Sequence, residues 1–161
     1  MKKFIVFILM VNGLVFNIYA QQEAKFYRGK CFKGYIFDSS YLLFKSIAQQ
    51  KGRTQLSSDD IDVAEKILKM NLTSLNNNNL NQSAHCPNIE KNYNKYVRQY
   101  FGFFNKKGEK IVWINFFLEK EFNKRAKYEL ISVSDGCSNF WNVEINITQE
   151  KVSNLKINGS G

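Results

Sequence analysis

The chain has 161 residues, with 23 Lys or Arg against 14 Asp or Glu, a net charge of +9, and 15% aromatic side chains. That is enough material for one ordinary domain with its own core. The lysines are spread along the chain and only four basic residues are Arg, so the charge reads as a solvated surface instead of a nucleic-acid interface, with weak attraction to anionic envelope polymers or lipid as the functional alternative.

Met1–Lys2–Lys3 is followed by a wholly apolar run from Phe4 to Val11, then a mostly apolar stretch to Ala20 and a polar change at Gln21. A basic start, a short apolar core and a small residue before polar sequence is the pattern of a secretory signal peptide over residues 1–20, cleaved after Ala20. Asn12, Gly13 and Asn17 interrupt the run, leaving it short of the about 20 residues of a membrane span. A retained N-terminal anchor is the competing reading. Cleavage would remove 20 of the 161 residues and two lysines, leaving 141 residues with 21 basic and 14 acidic side chains. The expected compartment is therefore secreted or periplasmic, with no transmembrane span in the mature chain.

Residues 21–161 read as a single α+β domain. Gln21 to Lys30 is polar and expected to be irregular, and Phe32 to Phe37 reads as a short strand closed by Asp38–Ser39–Ser40. Tyr41 to Ile47 is an apolar run whose period does not separate strand from helix, and Gln49 to Gln55 is a polar connection. A helix follows, capped by Ser57 or Ser58, with Asp59 and Asp60 in its first turn where the helix dipole favours negative charge. Ile61, Ala64, Ile67 and Leu68 form its apolar stripe, with Asp62, Glu65, Lys66 and Lys69 opposite. Residues 74–84 are an Asn-rich loop that can bury little.

Asn88 to Asn94 has room for one or two helical turns. Tyr96 to Phe104, Ile111 to Phe117, Tyr128 to Ser134, Phe140 to Ile147 and Val152 to Ile157 then read as consecutive strands. Trp141, Val143, Ile145 and Ile147 alternate with Asn142, Glu144 and Asn146, the mark of one buried and one wet face. The whole predicts one main helix packed on a four- to five-stranded antiparallel meander, a cystatin-like outline by pattern alone. Ile111 to Phe117 is apolar on both faces, so its second face needs cover, expected from the chain itself.

Cys31, Cys86 and Cys137 allow one bridge and one spare thiol, or none, in a compartment where disulfides persist. With five strands running up and down, Cys86 and Cys137 fall at opposite ends of the sheet, beyond the about 7 Å that a bridge spans. Cys31 with Cys86 is the expected pair. Chemistry is thinly signalled. His85 is the only histidine and sits beside Cys86, where neighbouring side chains in extended chain point apart, so a cysteine nucleophile at Cys86 or Cys137 is a minor candidate. Cys31, His85, Cys86 and Cys137 have the count of a zinc site but none of its short paired spacings, so no metal and no cofactor is expected. The Asn-x-Ser/Thr triplets at Asn71, Asn81, Asn146 and Asn158 matter only in a glycosylating pathway.

Tyr96–Val97–Arg98–Gln99–Tyr100–Phe101–Gly102–Phe103, Lys107 to Phe116, Ser134 to Trp141 and the ending Val152 to Gly159 resemble small exported bacterial proteins of unknown function. The resemblance covers roughly the C-terminal half of the mature chain. It implies an envelope or secreted location and carries no activity and no functional residues. The expected role is a non-enzymatic exported binding domain whose partner is a protein or an envelope polymer, with self-association open. A small envelope enzyme with a cysteine nucleophile and an adhesion or structural component are the alternatives.

Overall fold

A computed structural model of the chain describes residues 23–41, 43, 52–77, 84–118 and 120–159. The expected leader with its cleavage point at Ala20, most of Tyr41 to Ile47 and the centre of the Asn-rich loop lie outside the described residues. Among the described residues the fold is α+β: a seven-stranded mixed sheet and two helices. In chain order these are β1 (Lys25–Arg28), β2 (Lys33–Ile36), β3 (Gly52–Thr54), α1 (Ser58–Asn77), α2 (Ile89–Asn92), β4 (Val97–Phe104), β5 (Lys110–Phe117), β6 (Phe140–Asn146) and β7 (Lys151–Ile157).

The sheet runs β1-β2-β4-β5-β6-β7, and β3 lies beside the far half of β4. Its β4–β5–β6–β7 part is the expected antiparallel meander. The N-terminal part is not: β2 runs parallel to β4, Lys33 to Ile36 against Val97 to Tyr100, and β3 runs antiparallel to it, Gly52 to Thr54 against Phe104 to Gly102. β1 and β3 come from segments read above as irregular. Both are short and polar, and their hydrogen bonds to a neighbouring strand, not an apolar period, make them strands.

α1 begins in a reciprocal cap. Ser57 Oγ accepts from the Asp60 amide at 3.1 Å, while the Asp60 carboxylate accepts from the Ser57 amide at 2.8 Å and from its hydroxyl at 3.0 Å. Lys110 Nζ pairs with the same carboxylate at 2.6 Å, fixing the helix start against the start of β5. The stripe Ile61, Ala64, Ile67, Leu68 and Leu72 lies on Val112, Ile114, Val143 and Ile145. Phe116 and Trp141, partners across β5 and β6, stack with centroids 3.6 Å apart. Burial of each such large apolar side chain contributes about 1.5–3 kcal/mol.

The other sheet face is covered by the chain itself. Tyr41 and Leu43 pack with Phe37, Phe101 and Trp113. Phe122, Ala126, Ile131 and Val133 pack on Val97, Phe117 and Phe140. Here the structure corrects an expectation, because Tyr128 to Ser134 is not a strand. Its backbone bonds to side chains instead of to a neighbouring strand. Gln99 Nε2 donates to the carbonyls of Ala126 (2.8 Å) and Glu129 (2.7 Å), and Gln99 Oε1 accepts from the Ile131 amide (2.9 Å). Asn115 Nδ2 donates to Ile131 O (2.8 Å) and to Gln99 Oε1 (3.0 Å). All four hydrogen-bonding positions of the buried Gln99 amide are filled.

Losing that strand reverses the parity of the meander and corrects the disulfide. The start of β4, the end of β5 and the start of β6 share one end of the sheet, as the register Val97–Phe117–Phe140 shows. Cys86 precedes β4 and Cys137 precedes β6 at that same end. They form the disulfide, with Cα atoms 5.6 Å apart, and Cys31 keeps a free, exposed thiol. The expected Cys31–Cys86 pair is therefore replaced by Cys86–Cys137.

Candidate functional site

The turn Gly29 to Phe32 joins β1 to β2 and folds back over the outer side of α1. The Gly29 amide donates to Phe32 O at 3.1 Å, and a Cβ on Gly29 would lie 2.3 Å from the Phe32 ring. Only glycine lets that ring close over the turn. Tyr27 Oη donates to Asp62 Oδ1 at 2.9 Å and ties β1 to the helix. Between turn and helix lies a pocket of about 240 Å³. Lys30, Cys31 and Phe32 line it from the turn, and Asp62, Lys66 and Lys69 from one face of α1, spaced so that they share it.

Its floor is a buried polar cluster reached by Glu65 and Tyr93. Glu65, which patterning places on the wet side of α1, is only 4% exposed, and Arg98 is fully buried. Glu65 Oε1 accepts from Arg98 Nε at 2.9 Å and Tyr100 Oη at 2.8 Å, and Oε2 accepts from Tyr93 Oη at 2.5 Å. Arg98 donates further to the carbonyls of Tyr96 (2.6 Å) and Tyr93 (3.1 Å). Its guanidinium lies 4.6 Å from the Tyr93 ring centroid, 5.2 Å from Phe116 and 5.5 Å from Phe32. A paired and hydrogen-bonded charge of this kind is the condition under which burial is tolerated.

Burial pushes the Tyr93 and Tyr100 hydroxyls well above the ordinary phenol value, and the Glu65 charge adds to it. Burial, the largest influence, would lower Arg98; the Glu65 charge, with Tyr100 and Tyr93 adding to it, holds the guanidinium above its usual value. The cluster is thus a fixed ion pair with two neutral phenols, and the carboxylate has its hydrogen bonds committed inward.

The residues singled out from sequence do not converge. Cys86 and Cys137 are bridged, so neither is a thiol nucleophile in this state. His85 is exposed in the turn before Cys86 and is not among the pocket's lining residues. Of the three cysteines Cys31 alone reaches the pocket. Asp59 is exposed, and Asp60 serves as the helix cap and the partner of Lys110. Among the described residues no group of three or more His, Cys, Asp or Glu is arranged to hold a metal ion, and no helix is long and apolar enough to cross a membrane.

Glu65 and Arg98 are the pair that sequence patterning missed. The signal was present in the strand: an arginine flanked by Tyr96 and Tyr100 in a run buried on both faces requires an acid from whatever packs over it. Compared with known protein families, curated proteins and solved structures, the chain matches none.

Proposed function

We propose that this is an exported, non-enzymatic binding domain that takes its ligand in the pocket between α1 and the β1–β2 turn. The observation that carries the reading is the construction of that pocket. Its walls are held by bonds directed away from the cavity, Phe32 by the Gly29 turn and Arg98, Tyr93 by Glu65, while Lys30, Lys66 and Lys69 stand around it. Fixed walls with a few polar groups are what a recognition site needs. Export is supported by the N-terminal pattern and by a disulfide of the kind that oxidising compartments maintain. A cystatin-like outline is supported by α1 lying across the meander, and the parallel β2–β4 pair departs from it.

The cysteine-enzyme reading loses its candidates Cys86 and Cys137 to the disulfide and would have to use the exposed Cys31 thiol on the pocket wall. It lacks an imidazole there to serve as base. The test is a fragment screen of the oxidised protein by NMR, with neutral, cationic and anionic small molecules. Binding is expected to move the resonances of Phe32 and Tyr93 ahead of those elsewhere. A screen in which no fragment moves them, or in which Cys31 turns over an acyl substrate, overturns the reading.

A further inference from the structure

We propose that the pocket selects a small organic anion, a carboxylate or phosphate carried on an apolar stem; this rests on reading the pocket as the ligand site. Charge is the first argument. Lys30, Lys66 and Lys69 have no ion-pair partner among the described residues, whereas Glu65 is neutralised by Arg98 and Asp62 is engaged by the Tyr27 hydroxyl. Among the described residues, three lysines against one uncompensated carboxylate leave a cationic excess at the pocket. Lys66 and Lys69 stand three residues apart on α1 and project together, so two ammonium groups can meet one anionic head.

The lining beneath them is aromatic. Phe32 and Tyr93 supply ring surface for a stem, and both rings are held by their contacts with Arg98. Its size suits a small occupant. At about 240 Å³ the pocket lies below the about 300–1,000 Å³ of sites for drug-sized ligands, so it fits a single ring or short chain with its charged head. The field is also directional. An anion approaching the turn meets Lys30 on one wall and Lys66 and Lys69, beside Asp62, on the other, while the Glu65 charge at the floor is paired with Arg98 and hydrogen-bonded by the two phenols.

Cys31 reports occupancy directly, because its thiol is exposed and lines the cavity. The experiment measures how fast a neutral dipyridyl disulfide modifies Cys31 in the oxidised full-length mature protein, with increasing benzoate, phenyl phosphate or benzyl alcohol. Benzoate and phenyl phosphate are expected to slow modification saturably, and benzyl alcohol is not. In the variant Lys66→Glu/Lys69→Glu, checked for folding by its thermal midpoint, protection is expected to need at least about tenfold more anion, the loss of roughly one strong charge contact. Lys151→Glu on β7 is expected to leave protection as in the wild type. If benzyl alcohol protects as well as benzoate, or the double variant is protected as before, anion selectivity is overturned while the pocket stands as a binding site. If no compound protects and none moves the Phe32 or Tyr93 resonances, both readings fall.

Discussion

Gln99 on β4 and Asn115 on β5 stand directly opposite each other and bond at 3.0 Å, and together they hold residues 126–131 over the sheet. The pair does in the core what a strand neighbour does at an edge. It gives four backbone groups of a non-repetitive segment their partners, so that segment can lie buried without entering the sheet.

Gln99→Met keeps most of the side-chain volume and removes those partners. The buried Ile131 amide and the carbonyls of Ala126 and Glu129 would lose their bonds, at a cost of about 2–4 kcal/mol. Urea denaturation measures the total. Hydrogen exchange should localise the loss to residues 126–131 ahead of β5 and β6, and uniform loss across the sheet would refute a clasp.

The Glu65–Arg98 pair predicts a non-additive double-mutant cycle. Glu65→Leu alone leaves a fully buried guanidinium uncompensated and should destabilise by about 3–5 kcal/mol. Glu65→Leu with Arg98→Met should recover at least half of that, since neither charge then remains. Additive losses on chemical denaturation would show that the two side chains act independently.

The buried phenols set an alkaline limit. In the unfolded chain Tyr93, Tyr96 and Tyr100 lose protons near pH 10, while in the fold burial raises all three. A group whose folded pKa is raised stabilises fully below its unfolded pKa, and the contribution falls as pH rises beyond it. The tyrosine contribution to stability should therefore be level below about pH 9 and decline above about pH 10. In a tyrosinate absorbance titration, these three tyrosines should ionise only together with unfolding.

Cys86 and Cys137 are 51 residues apart, and closing a loop of that length in the unfolded chain predicts about 4 kcal/mol of stabilisation by the chain-entropy relation. Comparing Cys31→Ala with and without reductant isolates this contribution by its urea midpoint. Alkylation of the unreduced, denatured wild type should label Cys31 and no other cysteine.

Where a residue's surroundings follow from its own neighbours in sequence, the fold was legible. The capped start of α1, its apolar stripe, the alternation of β6 and the doubly apolar β5 were each readable in this way. β1 and β3 were not, because short polar strands exist through pairing with partners far along the chain. Tyr128 to Ser134 looked like a strand because it is apolar and β-branched, properties that burial under side-chain bonds also demands. An extra strand there would swap the sheet ends and separate Cys86 from Cys137, which is why the sequence alone points to Cys31 with Cys86. Of the site, Lys66 and Lys69 were visible as surface residues on α1, but nothing local indicated that the turn bearing Cys31 would fold against them.

The parallel pairing of β2 with β4 carries a consequence for the order of events as the chain emerges. Ile36 is the last residue of β2 and Val97 the first of β4, 61 positions later. At synthesis rates of about 5–20 residues per second, β2 waits about 3–12 s for its partner. During that interval the hairpin it forms with β1 has no sheet to join, and an isolated two-stranded hairpin is marginal in water. The first half of the molecule is thus a passenger until the second half arrives, and a chain truncated before β4 should be captured by chaperones or proteases instead of folding on its own.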